Sequence, residues 1–295
     1  GFNFLDKNLS EMGFINLIRI KDGETIKFED FNITLFAPFT THNFFENVSV
    51  IGNLIDSAMV IESSGVVAFN ANDNSPDISA CKMIKEKFGQ VDLALMNYNA
   101  AGPYPSCFNN LSETQKISEN KEVLKRNFNY LVENLKILMP KMVLPFAGAY
   151  VIGGKFSYKN KYLGTTTWDE CAAYLKKYLK KEINVICLRE NDIIDLTNGK
   201  RNNDYISIDI VEMERYINDE LSSIKYDYEH DSPVKINIIK KDLNIAADKM
   251  MARCKKISLV PDMDVNIEIN GEKINICKAA DTKGSLDCSL DLRLL

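Results

Sequence analysis

A chain of 295 residues, 45% apolar and 26% charged, has the composition of a soluble globular protein, with length for one large or two ordinary domains and a sizeable core. Its net charge of -5 argues against a nucleic-acid or anionic-membrane partner, and no apolar run approaches the roughly 20 residues that span a bilayer. Seven scattered Cys without C-x-x-C spacing point to free thiols in a reducing cytoplasm, and two His cannot build a metal site from imidazoles alone.

Residues 1–12 carry Leu5, Leu9 and Met12 at helical spacing, and residues 15–20 read as a strand. After a turn at Gly23, residues 25–28 and 31–36 read as paired strands. Pro38 cannot donate to a ladder, so the strand ends there and His42 falls in the following loop. A lone loop His is more often solvated than ligating, and only its relation to Asp73 would change that.

Residues 58–61 and 66–69 are apolar β-runs around Ser63-Ser64-Gly65, a hairpin turn with glycine supplying a positive φ. The second run ends in Asn70, Asn72, Asp73 and Asn74. Two readings stand side by side: a rigid strand tip that carries a site, and a polar loop whose side chains cap its own backbone.

Ser75-Pro76-Asp77 starts a helix over 78–88, and residues 90–96 form a strand ending in Asn97-Tyr98-Asn99, with Gly102-Pro103-Tyr104-Pro105 beyond. A long helix over 118–138 and a strand over 140–145 follow, the latter ending in Phe146-Ala147-Gly148-Ala149-Tyr150. Three strand-loop-helix units whose polar tips converge describe an α/β layered sheet with a site along one edge. Residues 155–164 have the composition of a lid, and Thr167 with Glu170 fits a capping box opening a helix to about Lys180. Cys171 lies on that helix's packing face and takes no catalytic role.

Residues 183–188 read as a further strand and 192–196 as a short β-segment. The all-polar stretch 200–204 divides a first domain, 1–200, from a C-terminal α+β region, 201–295. That region contains an acidic amphipathic stretch over 208–224, a helix around 243–254, and an antiparallel hairpin turning at Gly271. His230, among Asp and Glu, reads as a solvated surface residue. The apolar pattern at residues 291–295 looks like the start of an element, so the native polypeptide is expected to continue.

In their order, several stretches resemble the metallo-β-lactamase fold, in the branch holding bacterial metallo-hydrolase-like proteins and the catalytic domain of CMP-N-acetylneuraminate hydroxylase. They are Gly-Phe-Ile-Asn-Leu-Ile-Arg-Ile-Lys-Asp-Gly-Glu-Thr-Ile at 13–26, Ala37-Pro38 with His42, Asp56-Ser-Ala-Met-Val-Ile-Glu with Asn72-Asp73, Gly102-Pro103-Tyr104-Pro105 and Pro145-Phe146-Ala147-Gly148. The resemblance covers roughly residues 5–200. It implies a four-layer αββα sandwich lacking its N-terminal part, whose H-x-H-x-D-H motif is absent here. Carried over by position, His42 matches the third-histidine loop and Asp73 the metal-bridging aspartate, while Ala147 replaces the last histidine.

What the resemblance implies is a metal-dependent hydrolase or oxidoreductase acting on a polar, sugar- or nucleotide-linked small molecule in carbohydrate metabolism. His42 and Asp73 would hold a divalent zinc, iron or manganese ion together with ligands from a segment outside this chain. Asp73, Tyr98 and Asn99 are the expected catalytic residues, and Asn72, Tyr104, Phe146 and Tyr150 the expected substrate-binding ones. The alternative is a scaffold or binding protein that kept the sheets and lost the metal. The expected partner is a small molecule, with self-association left open. A flavin- or nucleotide-binding module is disfavoured, since no Gly-x-Gly-x-x-Gly or phosphate loop occurs.

Overall fold

The structure, a computed structural model, describes residues 3–39, 57–99, 102–146, 148–230, 236–269 and 271–290. After a short helix α1 (Asn3–Glu11), strands β1 (Thr25–Phe28), β2 (Phe31–Phe36), β3 (Ala58–Ser63) and β4 (Val66–Asn70) form an antiparallel meander. The β3–β4 turn has Ser64 at φ 51° and Gly65 at φ 78°. Two successive positive φ values make a turn whose twist matches that of the flanking strands, as the Ser-Gly pair predicts.

From β4 onward the sheet changes character. Strands β5 (Leu93–Asn97), β6 (Met142–Phe146) and β7 (Asn184–Val185) add in parallel, giving the order β1-β2-β3-β4-β5-β6-β7. The crossovers are α2 (Ile78–Phe88), α3 (Glu113–Leu138) and α4 (Trp168–Tyr178). All three helices feed one core: Cys81 and Ile84 of α2, Leu131 and Leu135 of α3, and Cys171 and Leu175 of α4 pack with Val60, Phe69, Ala94, Met96 and Val143 of the sheet. Side chains alternate along a strand, so these sheet residues define the helix-covered face.

The register defines the opposite face as well. Leu35, Met59, Asn70, Leu95 and Leu144 lie in one row across the sheet, and Ile33, Ile61, Ala68, Leu93 and Met142 in the next. This second face is apolar almost throughout and mostly half-buried, with Ile186, Ile194 and Leu196 covering its β5–β6 end. The expected α/β class is therefore present, with a single large sheet among the described residues, helices on one face and an apolar surface on the other.

Helix ends follow local chemistry. The Asp77 side chain accepts from the Ala80 N–H at the start of α2, and Thr167 with Glu170 makes the predicted capping box of α4. The long helix begins at Glu113, earlier than expected, because Ser112 and Gln115 form a second capping box.

Several expectations are corrected. Residues 15–20 form no strand: Ile15 is 89% and Ile18 67% exposed, and no described neighbour offers them a ladder. In place of an open lid, Gly154–Tyr162 is a 3-10 helix held against α3, where Lys161 and the Tyr162 hydroxyl both bond Glu113. Residues 192–196 contribute one bridge, Ile194 to Arg201, in place of a strand.

In the C-terminal region, α5 (Ile210–Arg215) precedes α6 (Ile236–Lys256) and the strands β8 (Asp264–Ile269), β9 (Glu272–Cys277) and β10 (Ser285–Leu290), in the order β10-β8-β9. The predicted β8–β9 hairpin forms about Gly271 at φ 80°. Strand β10, parallel to β8, was not expected. Ile236, Ile239 and Leu243 of α6 pack on Ile269 and Ile274. The free edge of β10 joins the loop after β5 through Asn109 N–H to Asp287 O at 2.7 Å and Ser289 N–H to Cys107 O at 2.7 Å. No helix among the described residues is long and apolar enough to cross a membrane.

Candidate functional site

Parallel strands bring their carboxyl ends to one rim, the place where open α/β sheets bind ligands. Here the rim consists of the residues after β4, β5 and β6. The β4 loop turns sharply: the Asn72 N–H donates to Asn70 Oδ1 at 2.9 Å, and Asn72 adopts φ 50°. Asn tolerates this left-handed conformation better than most residues. Asp73 then stands exposed at the tip, with no hydrogen bond or ion pair among the described residues.

Asn74, 5% exposed, anchors this tip. Its backbone N–H donates to Ala71 O at 2.9 Å. Its side chain accepts from the Phe39 N–H at 2.6 Å and donates to Ala37 O at 3.0 Å. The Asp73 loop is thereby tied to the segment leaving β2. The next residue extends the network, since the Ser75 hydroxyl donates to Asn97 Oδ1 at 2.6 Å. The tips of β2, β4 and β5 thus form one hydrogen-bonded unit.

The remaining predicted site residues divide. His42 and Ala147 lie outside the described residues. Tyr98 is 2% exposed, its hydroxyl donating to Thr166 O at 3.2 Å, and burial pushes that hydroxyl's pKa upward. Asn99 brackets the same peptide, donating to Thr166 O at 3.0 Å and accepting from the Thr166 N–H at 3.2 Å. Both residues fasten the segment before α4 to the β5 tip. Such a phenol, buried and engaged with a carbonyl, is poorly placed to exchange a proton with a ligand.

Tyr104 lies beyond the rim, its ring edge-on to Phe108 at 5.1 Å and its hydroxyl donating to Glu119 at 2.6 Å. Desolvation, then the Glu119 carboxylate, pushes that hydroxyl up to about 12. Phe146 is half-buried at the end of β6, directly across from Asn97 in the ladder. Tyr150 is half-buried, with its hydroxyl raised by burial and by the neighbouring Cys107. At this rim Asn72 and Asp73 are exposed and Phe146 is half-buried, while the side chains of Tyr98 and Asn99 are engaged with the Thr166 peptide.

Two further amides, Asn70 and Asn97, end β4 and β5 at the parity of the second sheet face. A cleft of about 330 Å³ is lined by Phe36, Pro38, Phe39, Asp77 and Met83 among others, and no predicted site residue lines it. Among the described residues no group of three or more His, Cys, Asp or Glu converges as a metal site would require. Asp73 alone does not make one.

No protein-family model and no curated protein matches the chain. Solved structures do. The diiron β-hydroxylase CmlA from Streptomyces venezuelae is 14% identical, over 62% of this chain and 35% of its own, at a TM-score of 0.41. Igni18, a metallo hydrolase from the archaeon Ignicoccus hospitalis, is 12% identical over 69% of this chain and 66% of its own, at 0.38. The metallo-β-lactamase fold protein YhfI from Bacillus subtilis is 11% identical over 61% and 56%, at 0.33. The chain thus spans about a third of the length of CmlA and about two thirds of Igni18. What it shares with these proteins is a likeness of fold.

Proposed function

We propose that the protein is a metal-dependent hydrolase or oxidoreductase acting on a polar small molecule, with Asp73 supplying one oxygen ligand from the rim. The observation that carries this reading is an exposed carboxylate without a partner among the described residues, standing on a strand tip that is rigidly braced behind it. An unpaired carboxylate on a fixed scaffold is available to a cation or to a substrate proton.

The segment that Asn74 holds at Phe39 leads in sequence to His42, the other ligand this reading takes from the chain. A centre of this kind needs further ligands beyond one His and one Asp.

Metal analysis of the purified full-length protein tests the reading. The expected result is a stoichiometric divalent metal, iron, zinc or manganese, that is lost in Asp73→Ala while the circular dichroism spectrum is unchanged. A folded protein free of metal, or one whose metal content ignores Asp73→Ala, leaves the scaffold reading in its place.

A further inference from the structure

The rim carries two side-chain amides whose oxygens each accept one hydrogen bond from the β4 loop. Asn70, the last residue of β4, receives the Asn72 N–H on its Oδ1 at 2.9 Å. A backbone N–H can only donate, so the atom facing it is the oxygen and the NH2 group is directed away. Asn97, the last residue of β5, receives the Ser75 hydroxyl on its Oδ1 at 2.6 Å. Both side chains are half-exposed, and neither NH2 group has an acceptor among the described residues.

The two amides also share a face. Asn70 lies opposite Leu95 in the parallel ladder, and Asn97 is two residues further along the same strand. Alternation puts all three side chains on the side away from the helices. Strand spacing and rise separate the two Cα atoms by about 8 Å, a diagonal that side chains of this length close over a group held between them.

We infer that Asn70 and Asn97 form a paired-donor subsite that anchors an oxyanion of the ligand, a carboxylate or a phosphoryl group. Each oxygen already accepts one bond and the NH2 groups are free to donate, which favours a group made of acceptor oxygens. Bonds from neutral amides to an anion are stronger than those between neutral partners. Asp73 on the same rim repels such a group unless its charge is neutralised, so in the native protein the subsite rests on the reading of Asp73 as a cation ligand.

The test separates the two ideas by removing that charge. In Asp73→Asn protein held in EDTA, inorganic phosphate is titrated while the side-chain NH2 resonances of Asn70 and Asn97 are followed by NMR. Saturable shifts of both are expected, with weaker binding when Asp73 is restored. Asn70→Asp and Asn97→Asp, each made on the Asp73→Asn background, keep the oxygen that accepts from Asn72 or Ser75 and replace the NH2 by a negative oxygen. Each should weaken binding by about tenfold or more, the loss expected for one hydrogen bond to a charged group. The subsite is refuted if neither resonance moves, or if phosphate binds both double variants as well as it binds Asp73→Asn. Because no metal is present, the result stands whatever the metal content of the native protein.

Discussion

The backbone N–H of Phe39 donates to the side-chain oxygen of Asn74 at 2.6 Å, joining residues 35 apart in sequence. The Asn74 side-chain NH2 donates to Ala37 O at 3.0 Å, so one buried side chain ties the segment leaving β2 to the tip of β4. In Asn74→Ala two main-chain groups lose their partners. At about 1 kcal/mol per bond, more where the orphaned group stays buried, the expected loss is about 2–3 kcal/mol. Urea unfolding measures it, and a loss under about 0.5 kcal/mol would show that the clamp is replaced by water.

At the opposite end of the sheet Asp92 plays a comparable part. It is 5% exposed, accepts the Val67 N–H at 2.8 Å and pairs with Lys141 at 2.7 Å, while the Lys141 side chain is 62% exposed. Removing the exposed partner leaves a carboxylate still bonded to a backbone amide. Removing the buried one orphans that amide. Asp92→Ala should therefore cost about 2–3 kcal/mol and Lys141→Ala at most about 1 kcal/mol. Equal losses in the two variants would contradict the assignment.

Much of this frame was legible in the sequence. The Ser64-Gly65 turn, the Asp77 cap and the Thr167–Glu170 box are local devices whose residue types state their own geometry. What failed was non-local. Residues 15–20 have strand composition, yet a strand needs a neighbour to take its hydrogen bonds, which no local pattern supplies. Tyr98 and Asn99 were polar groups at a strand end and so looked like site residues. Only the fold shows that the Thr166 peptide already occupies them. Strand parity, which places Asn70 and Asn97 on the face away from the helices, is readable only once the strand bounds and their pairing are known.

The C-terminal sheet carries a pH dependence of its own. The Lys273 ammonium, 2.7 Å from Asp287, and the Asn266 amide at the same distance hold the Asp287 carboxyl below the usual carboxylate range. A carboxyl whose folded pKa is depressed contributes stability above its unfolded value, near 4, and loses it as pH falls toward the folded value. The same residue's backbone bonds Asn109 N–H and Asn110 Oδ1, so strand β10 reports the change. Amide exchange in β8–β10 should accelerate as pH is lowered below about 4, after correction for the intrinsic rate. In Asp287→Asn the protection should be lower at neutral pH and its acid dependence flatter, and an unchanged slope would remove Asp287 as the source.

Gly164 gives the sharpest steric prediction. A Cβ built there would lie 2.7 Å from Val123 Cγ1, well inside van der Waals contact. Val123 is 6% exposed on α3 and has little room to retreat. The glycine lets the segment between the 3-10 helix and α4 approach α3 closely, the same segment that Tyr98 and Asn99 grip at Thr166. Gly164→Ala should destabilise the fold by about 1–3 kcal/mol, the usual cost of overpacking a close contact. Val123→Ala alone should also destabilise, by leaving a small cavity. Combined, the methyl added at 164 enters space vacated by the two methyls lost at 123, so the double variant should be more stable than the sum of the single losses by about 1 kcal/mol or more. Strict additivity in that cycle would mean that the helix and the loop separate without meeting, and that the close approach is not what requires glycine.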